Sequence, residues 1–358
     1  MSTKLHTLTV SGIEKTTSDC SIITFDVPEH LSKDFTYTQG QYLTLKADIN
    51  GEEVRRSYSI CTSPLDNQWK VGVKKVYNGK FSTYVNDDLK VGDQIEAMVP
   101  AGNFYIPTDP NQARNYVAFA AGSGITPMLS IIKTHLSVEP NSTFKLFYIN
   151  QKVSSIILKE ELEALKNIHM GRFEIFHFLT KQNRGIDLFD GRLDKKKLEI
   201  IFKTICDTDN IDHYFSCGPE AMIFLVKDFL VEKGVNPSTI HFELFGTSTD
   251  KMKGQKEALQ KEYDGKSCSV TITEGGNTME FEMAQGGDNI LDAALNNDAD
   301  LPFACKGGVC ATCKAKLVEG DVNMLLSYGL EQDEIDKGFI LTCQALPISE
   351  KVVVDFDV

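Results

Sequence analysis

The sequence predicts a multidomain protein: an antiparallel β-barrel, then an α/β domain on a parallel sheet, then a small α+β domain. Three observations predict it. Residues 1–108 carry short alternating apolar runs broken by turn signals, as a small barrel does. Residues 109–246 change to strand, turn, helix, which implies crossovers and a parallel sheet. After a polar, charge-mixed stretch at 247–265, strand signals resume in 266–358 around one helical segment and a run of cysteines.

Barrel strands include YLTLKADI (42–49), ended by an Asn50-Gly51 turn, WKVGVKKV (69–76), followed by Asn78-Gly79, and DQIEAMVP (93–100). The strands of the second domain are YVAFAA, FKLFYI, FEIFHFL, HYFSCG and IHFELF, with helices beginning near Pro127, Ser155, Asp194 and Pro219. TSTDKMKGQKEALQKEYDGK lacks a strand pattern and reads as a linker with a little helix. In the last domain SCSVTIT and TMEFEMA are strands, NILDAALNN is helical, and KVVVDFDV is the closing strand.

A chain of 358 residues is too long for one ordinary core. No apolar run approaches the roughly 18 residues of a membrane helix, and MSTKLHTLTVSGIEK lacks the apolar core of a signal peptide. A cytoplasmic location is therefore expected, with no membrane partner. The net charge of −13 repels nucleic acid, which is not an expected partner either. Nine cysteines, an odd count, argue against a disulfide framework and for metal or catalytic use. Cys20, Cys206 and Cys268 read as small buried hydrophobes.

AAGSGITPMLSII joins an apolar strand to an amphipathic helix through Gly122-Ser123-Gly124. Thr126 is placed to cap that helix and Pro127 to take its first position, where no amide hydrogen is needed. Free amides and the helix dipole make the turn an anion site, and glycine lets a pyrophosphate approach. The turn is not GxGxxG, because Pro127 stands where the third glycine would be. FYINQKVSS has no acidic residue to hold a ribose 2′-hydroxyl. Asn150, Gln151, Lys152 and Ser154, with Arg184 from the loop after the third strand, offer groups for a 2′-phosphate; a solvated polar loop is the plain alternative. Together they lean towards NADPH, with NADH the alternative. In HYFSCGPEAM, Cys217 ends a strand and Pro219-Glu220 opens a helix. Its thiol is either activated by the helix terminus or a packing residue in the crevice, and spacing leaves both open.

RRSYSICTSP, from Arg55 to Pro64, puts Arg56 and Tyr58 on one face of a strand, with Ser59 opposite or at its bend. An Arg fork clamps a diphosphate, a Tyr ring stacks on a planar heterocycle, and a Ser hydroxyl bonds a ring nitrogen. A strand with an exposed Arg and Tyr is the plain alternative. Five motifs follow one another: R-S-Y-S (56–59), V-K-K-V (73–76), G-K-F-S (79–82), G-S-G-I-T-P (122–127) and C-G-P-E-A-M (217–222). In that order they resemble the ferredoxin–NADP reductase superfamily. The resemblance implies an FAD-binding barrel and an NAD(P)H-binding α/β domain. Arg56 would hold the flavin pyrophosphate, Ser57 would belong to the same binding strand, Tyr58 would stack on the isoalloxazine, and Ser59 would bond flavin N5. Lys74 and Val76 would line the second flavin strand. Gly79, Phe81 and Ser82 would form the turn that receives the FAD phosphates, which favours FAD over the alternative, FMN. Gly122, Gly124, Thr126 and Pro127, with Gly218 and Pro219, would cradle the nicotinamide nucleotide, with Cys217 beside its ring. Glu243-Leu244-Phe245 matches a terminal Glu–X–aromatic group, with Phe245 covering the flavin; here the strand does not end the chain, a departure. Ser59, Cys217 and Glu243 are the implied catalytic residues, positioning nicotinamide and managing flavin protonation.

FACKGGVCATC and the later ILTCQALP give Cys-x₄-Cys-x₂-Cys-x₂₉-Cys, at Cys305, Cys310, Cys313 and Cys343. A structural zinc site pairs one CxxC with another or with histidines. Only Cys310 and Cys313 form such a pair, and none of the seven histidines lies near it. The spacing fits the plant-type [2Fe–2S] ferredoxin. Four thiolates neutralise two sulfide-bridged ferric ions, and Gly307 and Gly308 let the loop curl so that amides face the sulfurs. By resemblance the fold is a β-grasp, with Cys305 and Cys310 on the outer iron and Cys313 and Cys343 on the inner one.

The domain order, with LPFACKGGVCATC, GFILTCQ and VVVDFD, resembles the reductase components of phenylacetyl-CoA epoxygenase (phenylacetate degradation) and related ring-hydroxylating systems. MLLSYGL (324–330) departs from that group, where a more polar Asp- or Asn-bearing stretch follows the methionine. The resemblance implies an electron-transfer enzyme running from NADPH to FAD to [2Fe–2S] and on to a separate oxygenase component, a di-iron one. A Rieske-type oxygenase or hybrid-cluster protein is the alternative acceptor, and a redox-sensing binding module the alternative class. Lys306, Lys314 and Lys316 flank the cluster and form either a basic docking patch or a solvated face.

Overall fold

Alternation of apolar and polar residues over the first hundred positions becomes strands, and the strands wrap. The computed structural model describes residues 4–246 and 249–358. Strands β1 (His6–Thr17), β2 (Cys20–Asp26), β3 (Tyr42–Ile49), β4 (Glu52–Ser59) and β5 (Trp69–Lys74) precede helix α1 (Lys80–Asp87) and β6 (Gln94–Ala97). They form one antiparallel sheet in the order β4-β3-β6-β1-β2-β5. An Ile60–Val71 bridge joins the exit of β4 to β5 and closes the barrel. Asn50 and Gly51 both have positive φ (58° and 79°), the conformation a tight β3–β4 hairpin demands. Leu8, Val10, Ile23, Leu43, Val71 and Val73 fill the interior, and α1 plugs it with Phe81 and Val85.

The next stretch alternates β7 (Asn115–Ala121), α2 (Ile125–Val138), β8 (Thr143–Asn150), α3 (Lys159–Ile168), β9 (Phe173–Leu179), α4 (Lys195–Thr204), β10 (His213–Gly218), α5 (Glu220–Glu232) and β11 (Ile240–Leu244). All neighbours are parallel, in the order β11-β10-β7-β8-β9. Successive residues of β7 serve opposite faces. Tyr116, Ala118 and Ala120 pack with α2 and α3; Val117 and Phe119 pack with α4 and α5. The chain winds outward through β8 and β9, then returns to the other side of β7 with β10. The order therefore reverses between β7 and β10, which is where such sheets bind ligands.

The chain divides into two compact units, one running to Phe245 and the other from Gly246. Residues 247 and 248, the start of the expected linker, lie outside the described residues. The rest of that stretch is more helical than its composition suggests: α6 spans Thr249–Glu262. The loop after the second strand of this unit closes against it, where a Cβ on Gly286 would stand 2.8 Å from the Leu259 carbonyl oxygen. Then follow β12 (Ser267–Glu274), β13 (Asn277–Ala284), α7 (Ile290–Leu295), β14 (Lys314–Glu319), β15 (Val322–Met324), α8 (Gln332–Asp336), β16 (Phe339–Leu341), β17 (Ala345–Pro347) and β18 (Lys351–Asp355). The main sheet runs β13-β12-β18-β14-β16, with β12 and β18 parallel and the other pairs antiparallel; β15 and β17 form a separate ribbon. Ile290, Leu291 and Ala294 of α7 pack on its core. Among the described residues no helix is long and apolar enough to cross a membrane. Cys20, Cys206 and Cys268 are buried in apolar surroundings, and burial pushes their thiols up to about 12, 12 and 11.

Candidate functional site

Within the first unit, β4, β5, α1 and the α2 turn surround a cleft of ≈ 530 Å³. Arg56, Ser57, Tyr58 and Ser59 line it from β4, Lys74 and Val76 from β5 and its exit, and Gly79, Phe81 and Ser82 from the start of α1. Ser123, Thr126 and Phe245 complete the wall. The Tyr58 ring lies 5.6 Å, centroid to centroid, from Phe81, which is itself fully buried and so fixes the ring behind it. Arg56 is exposed at the rim, and its Nη1 donates to the Arg55 carbonyl (2.6 Å).

The turn into α1 is built to keep its amides open. Gly79 is the cap residue and supplies no side-chain bond. A Cβ there would fall 2.4 Å from both Ser82 Oγ and Val76 Cγ2. Ser82 Oγ accepts from the Val76 amide (3.2 Å) and donates to the Gly79 carbonyl (3.3 Å), so this hydroxyl folds the turn. Uncapped amides at a helix N-terminus, next to Arg56, suit a diphosphate.

The Gly122–Gly124 turn has the same character, with one correction. A 3₁₀ turn over Gly122–Gly124 runs straight into α2, so the helix begins at Ile125 with Gly124 as its cap. Thr126 does not cap it. Its hydroxyl donates back to the Ser123 carbonyl (3.0 Å), and Pro127 is the third helical residue, not the first. Tyr148 of β8 donates to the Gly122 carbonyl (3.0 Å) and holds the turn. Gly124 lies flat against β10: a Cβ would stand 2.1 Å from the Cys217 carbonyl oxygen. Gly72 of β5 is equally constrained, 2.6 Å from Thr126 Cγ2. A glycine inside a strand signals such an approach, whereas nothing in the sequence marks Tyr148.

Across β7, β10 and β11, Cys217 is in register with Ala120 and Glu243. It is fully buried, and burial followed by the Glu243 charge holds its thiol well above the ordinary range. Of the two sequence readings, the packing residue is the one this environment supports. Glu243 meets Ser59: the hydroxyl donates to Glu243 Oε2 (3.2 Å). Desolvation pushes this carboxyl up to about 8 against the lowering effect of that bond. Gly218 and Pro219 lead into α5, whose first turn also lacks a side-chain cap. Phe245 is 44% exposed at the cleft edge.

Lys152 is exposed in the loop after β8. Arg184 turns elsewhere: its guanidinium donates to the His177 carbonyl (2.5 Å) and to Asp190 Oδ1 (3.4 Å). Lys181, which the sequence does not single out, stands beside the first loop, its amide donating to the Gln151 carbonyl (2.9 Å).

In the second unit the four cysteines stand as two pairs. The Sγ atoms of Cys305 and Cys310 are 3.1 Å apart, and the Cys313 and Cys343 side chains share a hydrogen bond. The Gly307 amide points at Cys305 Sγ (3.3 Å), and the Val309 and Cys310 amides do likewise. The Gly308 amide serves Cys343. No three metal-binding side chains among the described residues converge on one point. Two pairs with amides facing sulfur fit a two-iron centre, not a single tetrahedral ion. The apolar MLLSYGL stretch lies on this loop. Gly329 donates its amide to the Gly308 carbonyl (2.9 Å), and a Cβ on it would stand 2.5 Å from the Cys310 carbonyl oxygen.

The basic docking patch is not what the structure displays. Lys306 pairs with Asp292 (2.7 Å) and Lys314 with Glu334 (2.6 Å), which removes two of its three charges. From residue 266 onward six lysines face sixteen Asp and Glu, a net −10.

Comparison with known proteins finds a match for each of the three segments. An oxidoreductase FAD-binding domain matches residues 7–106, an oxidoreductase NAD-binding domain 119–228, and a 2Fe-2S iron-sulfur cluster binding domain 267–347. The chain is 42% identical to one of the subunits of the 1,2-phenylacetyl-CoA epoxidase of Escherichia coli, over 99% of this chain and 98% of that one. It is 30% identical to the ferredoxin reductase component of 3-ketosteroid-9-alpha-monooxygenase of Rhodococcus rhodochrous, over 98% and 96%. Phthalate dioxygenase reductase has the same fold, with a TM-score of 0.60 and 24% identity across 98% of each chain. The chain belongs to the family of reductase components of multicomponent oxygenase systems, in which electrons pass from NAD(P)H through FAD to a [2Fe–2S] cluster.

Proposed function

We propose that this protein is the NADPH-dependent reductase of a phenylacetyl-CoA epoxidase, delivering electrons to a separate di-iron oxygenase component. The observation that carries this reading is the 42% identity, over 99% of the chain, to a component of the E. coli epoxidase. We propose the working limits 1–108, 109–246 and 266–358 for the three domains, with 247–265 between the last two. Bound FAD would supply the conversion between the two electrons of a hydride, taken together, and the single electrons that the cluster carries.

The protein's own groups would do the following. Arg56 and the open amides of α1 would hold the diphosphate. Tyr58, backed by Phe81, would offer its ring to the flavin, with Ser57, Lys74 and Val76 along the same wall. Gly122 and Gly124, Thr126 and Pro127 of the α2 turn, and Gly218 and Pro219 would seat the nicotinamide nucleotide at the reversal of strand order. Ser59 and Glu243 would hold a proton between Oγ and Oε2, beside the reacting ring, with Phe245 limiting water at the cleft edge. Cys217 would give shape, as a neutral thiol. Lys152, with Lys181 beside it and no acidic residue from Asn150 to Ser155, would favour the 2′-phosphate of NADPH; Arg184 would have to leave Asp190 to help. Cys305, Cys310, Cys313 and Cys343 would ligate the cluster.

The test is reconstitution. Purified protein, NADPH and a phenylacetyl-CoA epoxidase oxygenase component should give NADPH oxidation coupled to epoxide formation, with kcat/KM higher for NADPH than for NADH. Uncoupled oxidation without epoxide would reject the epoxidase assignment while leaving the reductase chemistry intact.

A further inference from the structure

Beyond the four cysteines, one buried amide reaches the same loop. Gln344 follows Cys343 and is 4% exposed. Its Nε2 donates to the Lys306 carbonyl (3.1 Å) and the Cys343 carbonyl (2.9 Å), and lies 3.8 Å from Cys343 Sγ. Every neighbour of that nitrogen is an acceptor, so the amide cannot be flipped without opposing oxygen to oxygen. Its Oε1 takes no hydrogen bond among the described residues. A buried amide left half-satisfied carries a cost, and its contacts tie the Lys306 carbonyl of the cysteine loop to the segment that carries Cys343.

The place where it acts is strained. Lys306 has φ +49°, in the left-handed region that disfavours a side chain. The next amide, that of Gly307, is one of those aimed at Cys305 Sγ. Gly308, at φ +72°, passes so close that a Cβ would stand 2.9 Å from Gln344 Cγ. The main chain of Gln344 also accepts from the Leu325 amide (3.0 Å), tying the MLLSYGL stretch to the same point.

We propose that Gln344 is a positioning residue for the [2Fe–2S] cluster: it pins the left-handed Lys306 so that the loop amides face sulfur, and the N–H it gives the Cys343 carbonyl is shared with Cys343 Sγ. This rests on the four cysteines being the ligands. An N–H directed at a ligand sulfur stabilises the reduced, more negative cluster, so its loss makes reduction harder.

The test uses the full-length holoprotein and two variants without a donor, Gln344→Met and Gln344→Leu. Three measurements apply: iron per FAD, the rate of iron release to a chelator, and the cluster midpoint from a redox titration read by paramagnetic resonance. The expected result is iron release at least tenfold faster and a more negative midpoint, approaching the 59 mV that a tenfold loss of one-electron affinity represents. A variant that folds but no longer keeps iron supports the pinning role. Unchanged release and midpoint in both variants overturn the inference. So does collapse of the ferredoxin fold in both, because the assigned role is local to the loop. A wild-type protein without the paramagnetic signal would overturn the cysteine assignment and this inference with it, whereas a normal wild type beside unaltered variants overturns the inference alone.

Discussion

Replacing Glu243 with Gln should make the first unit less sensitive to alkali. The carboxyl, ordinarily near 4.5, is pushed up to about 8 by desolvation in the crevice between barrel and sheet. Between those two values the folded protein keeps a proton that the unfolded chain gives up. The folded state binds more protons, so stability falls as pH rises through 4.5 to 8 and stays low above that. At 1.36 kcal/mol per pH unit the ceiling is ~5 kcal/mol. Glu243 is only partly buried, and solvent screening brings the expected effect to about 2 kcal/mol. Gln resembles the neutral acid in shape and can still accept from Ser59, so little should change at pH 6. At pH 9 the variant should exceed the wild type by about 2 kcal/mol. Trp69, the single tryptophan, belongs to this unit and donates to the Phe35 carbonyl (2.8 Å), so its fluorescence in urea titrations reports the unfolding. Parallel pH profiles for variant and wild type would refute the desolvation argument.

Three other outcomes follow from the geometry. Gly124→Ala puts a methyl group 2.1 Å from the Cys217 carbonyl oxygen, a backbone atom that cannot give way; overpacking of this kind costs about 1–3 kcal/mol. KM for NADPH should rise about tenfold or more with FAD content unchanged, measured by steady-state kinetics and flavin absorbance. Cys310→Ser should abolish the cluster signal and electron transfer to cytochrome c while leaving NADPH-driven ferricyanide reduction within about threefold, because ferricyanide can draw from the flavin directly. The net −10 of the ferredoxin segment predicts that transfer to cytochrome c, a basic protein, slows several-fold between about 20 and 300 mM salt. A rate that climbs with salt would show that the docking face is not acidic.

How much of this is legible depends on what each feature requires. The cysteine loop can be read because metal coordination fixes ligand spacing, and that spacing survives in one dimension. Strands β3 and β9 begin and end where the runs YLTLKADI and FEIFHFL do. Helix α1 escapes the sequence for a physical reason: KFSTYVND carries β-branched and aromatic residues and no Ser, Thr, Asp or Asn cap. It is helical because Phe81 and Val85 find a place inside the barrel, a tertiary gain that outweighs weak propensity. The start of α2 is easily misplaced because the Thr-Pro pair satisfies the usual rule for a helix start. The preceding glycines instead allow a 3₁₀ turn to lead straight into the helix, leaving Thr126 to bond backwards. The lysines beside the cluster look basic in sequence because their partners, Asp292 and Glu334, lie fourteen and twenty residues away. The pairing of Ser59 with Glu243 spans 184 residues and two domains, beyond any local pattern.

A chain of net charge −13 that must hold a flavin diphosphate, a nicotinamide dinucleotide and an anionic iron–sulfur cluster has to attract them with local groups, because its overall field repels them. Cations at the flavin cleft are Arg56, Lys80, which pairs with Glu52, and Lys74, whose amine lies 3.9 Å from where a Cβ on Gly122 would be. What recurs instead is main chain with the side chain removed. Gly79 opens α1, Gly122 and Gly124 open α2, and Gly308 brings an amide to Cys343. Three of these four glycines leave no room for a Cβ, so the close approach is itself part of the packing. Amide dipoles fixed by the fold attract an anion without adding net charge. An acidic surface used for a basic partner would then be compatible with anions retained inside the same protein. If that division holds, salt should weaken partner transfer far more than it weakens retention of FAD, because dipoles within a helix terminus are screened less than charges meeting across water.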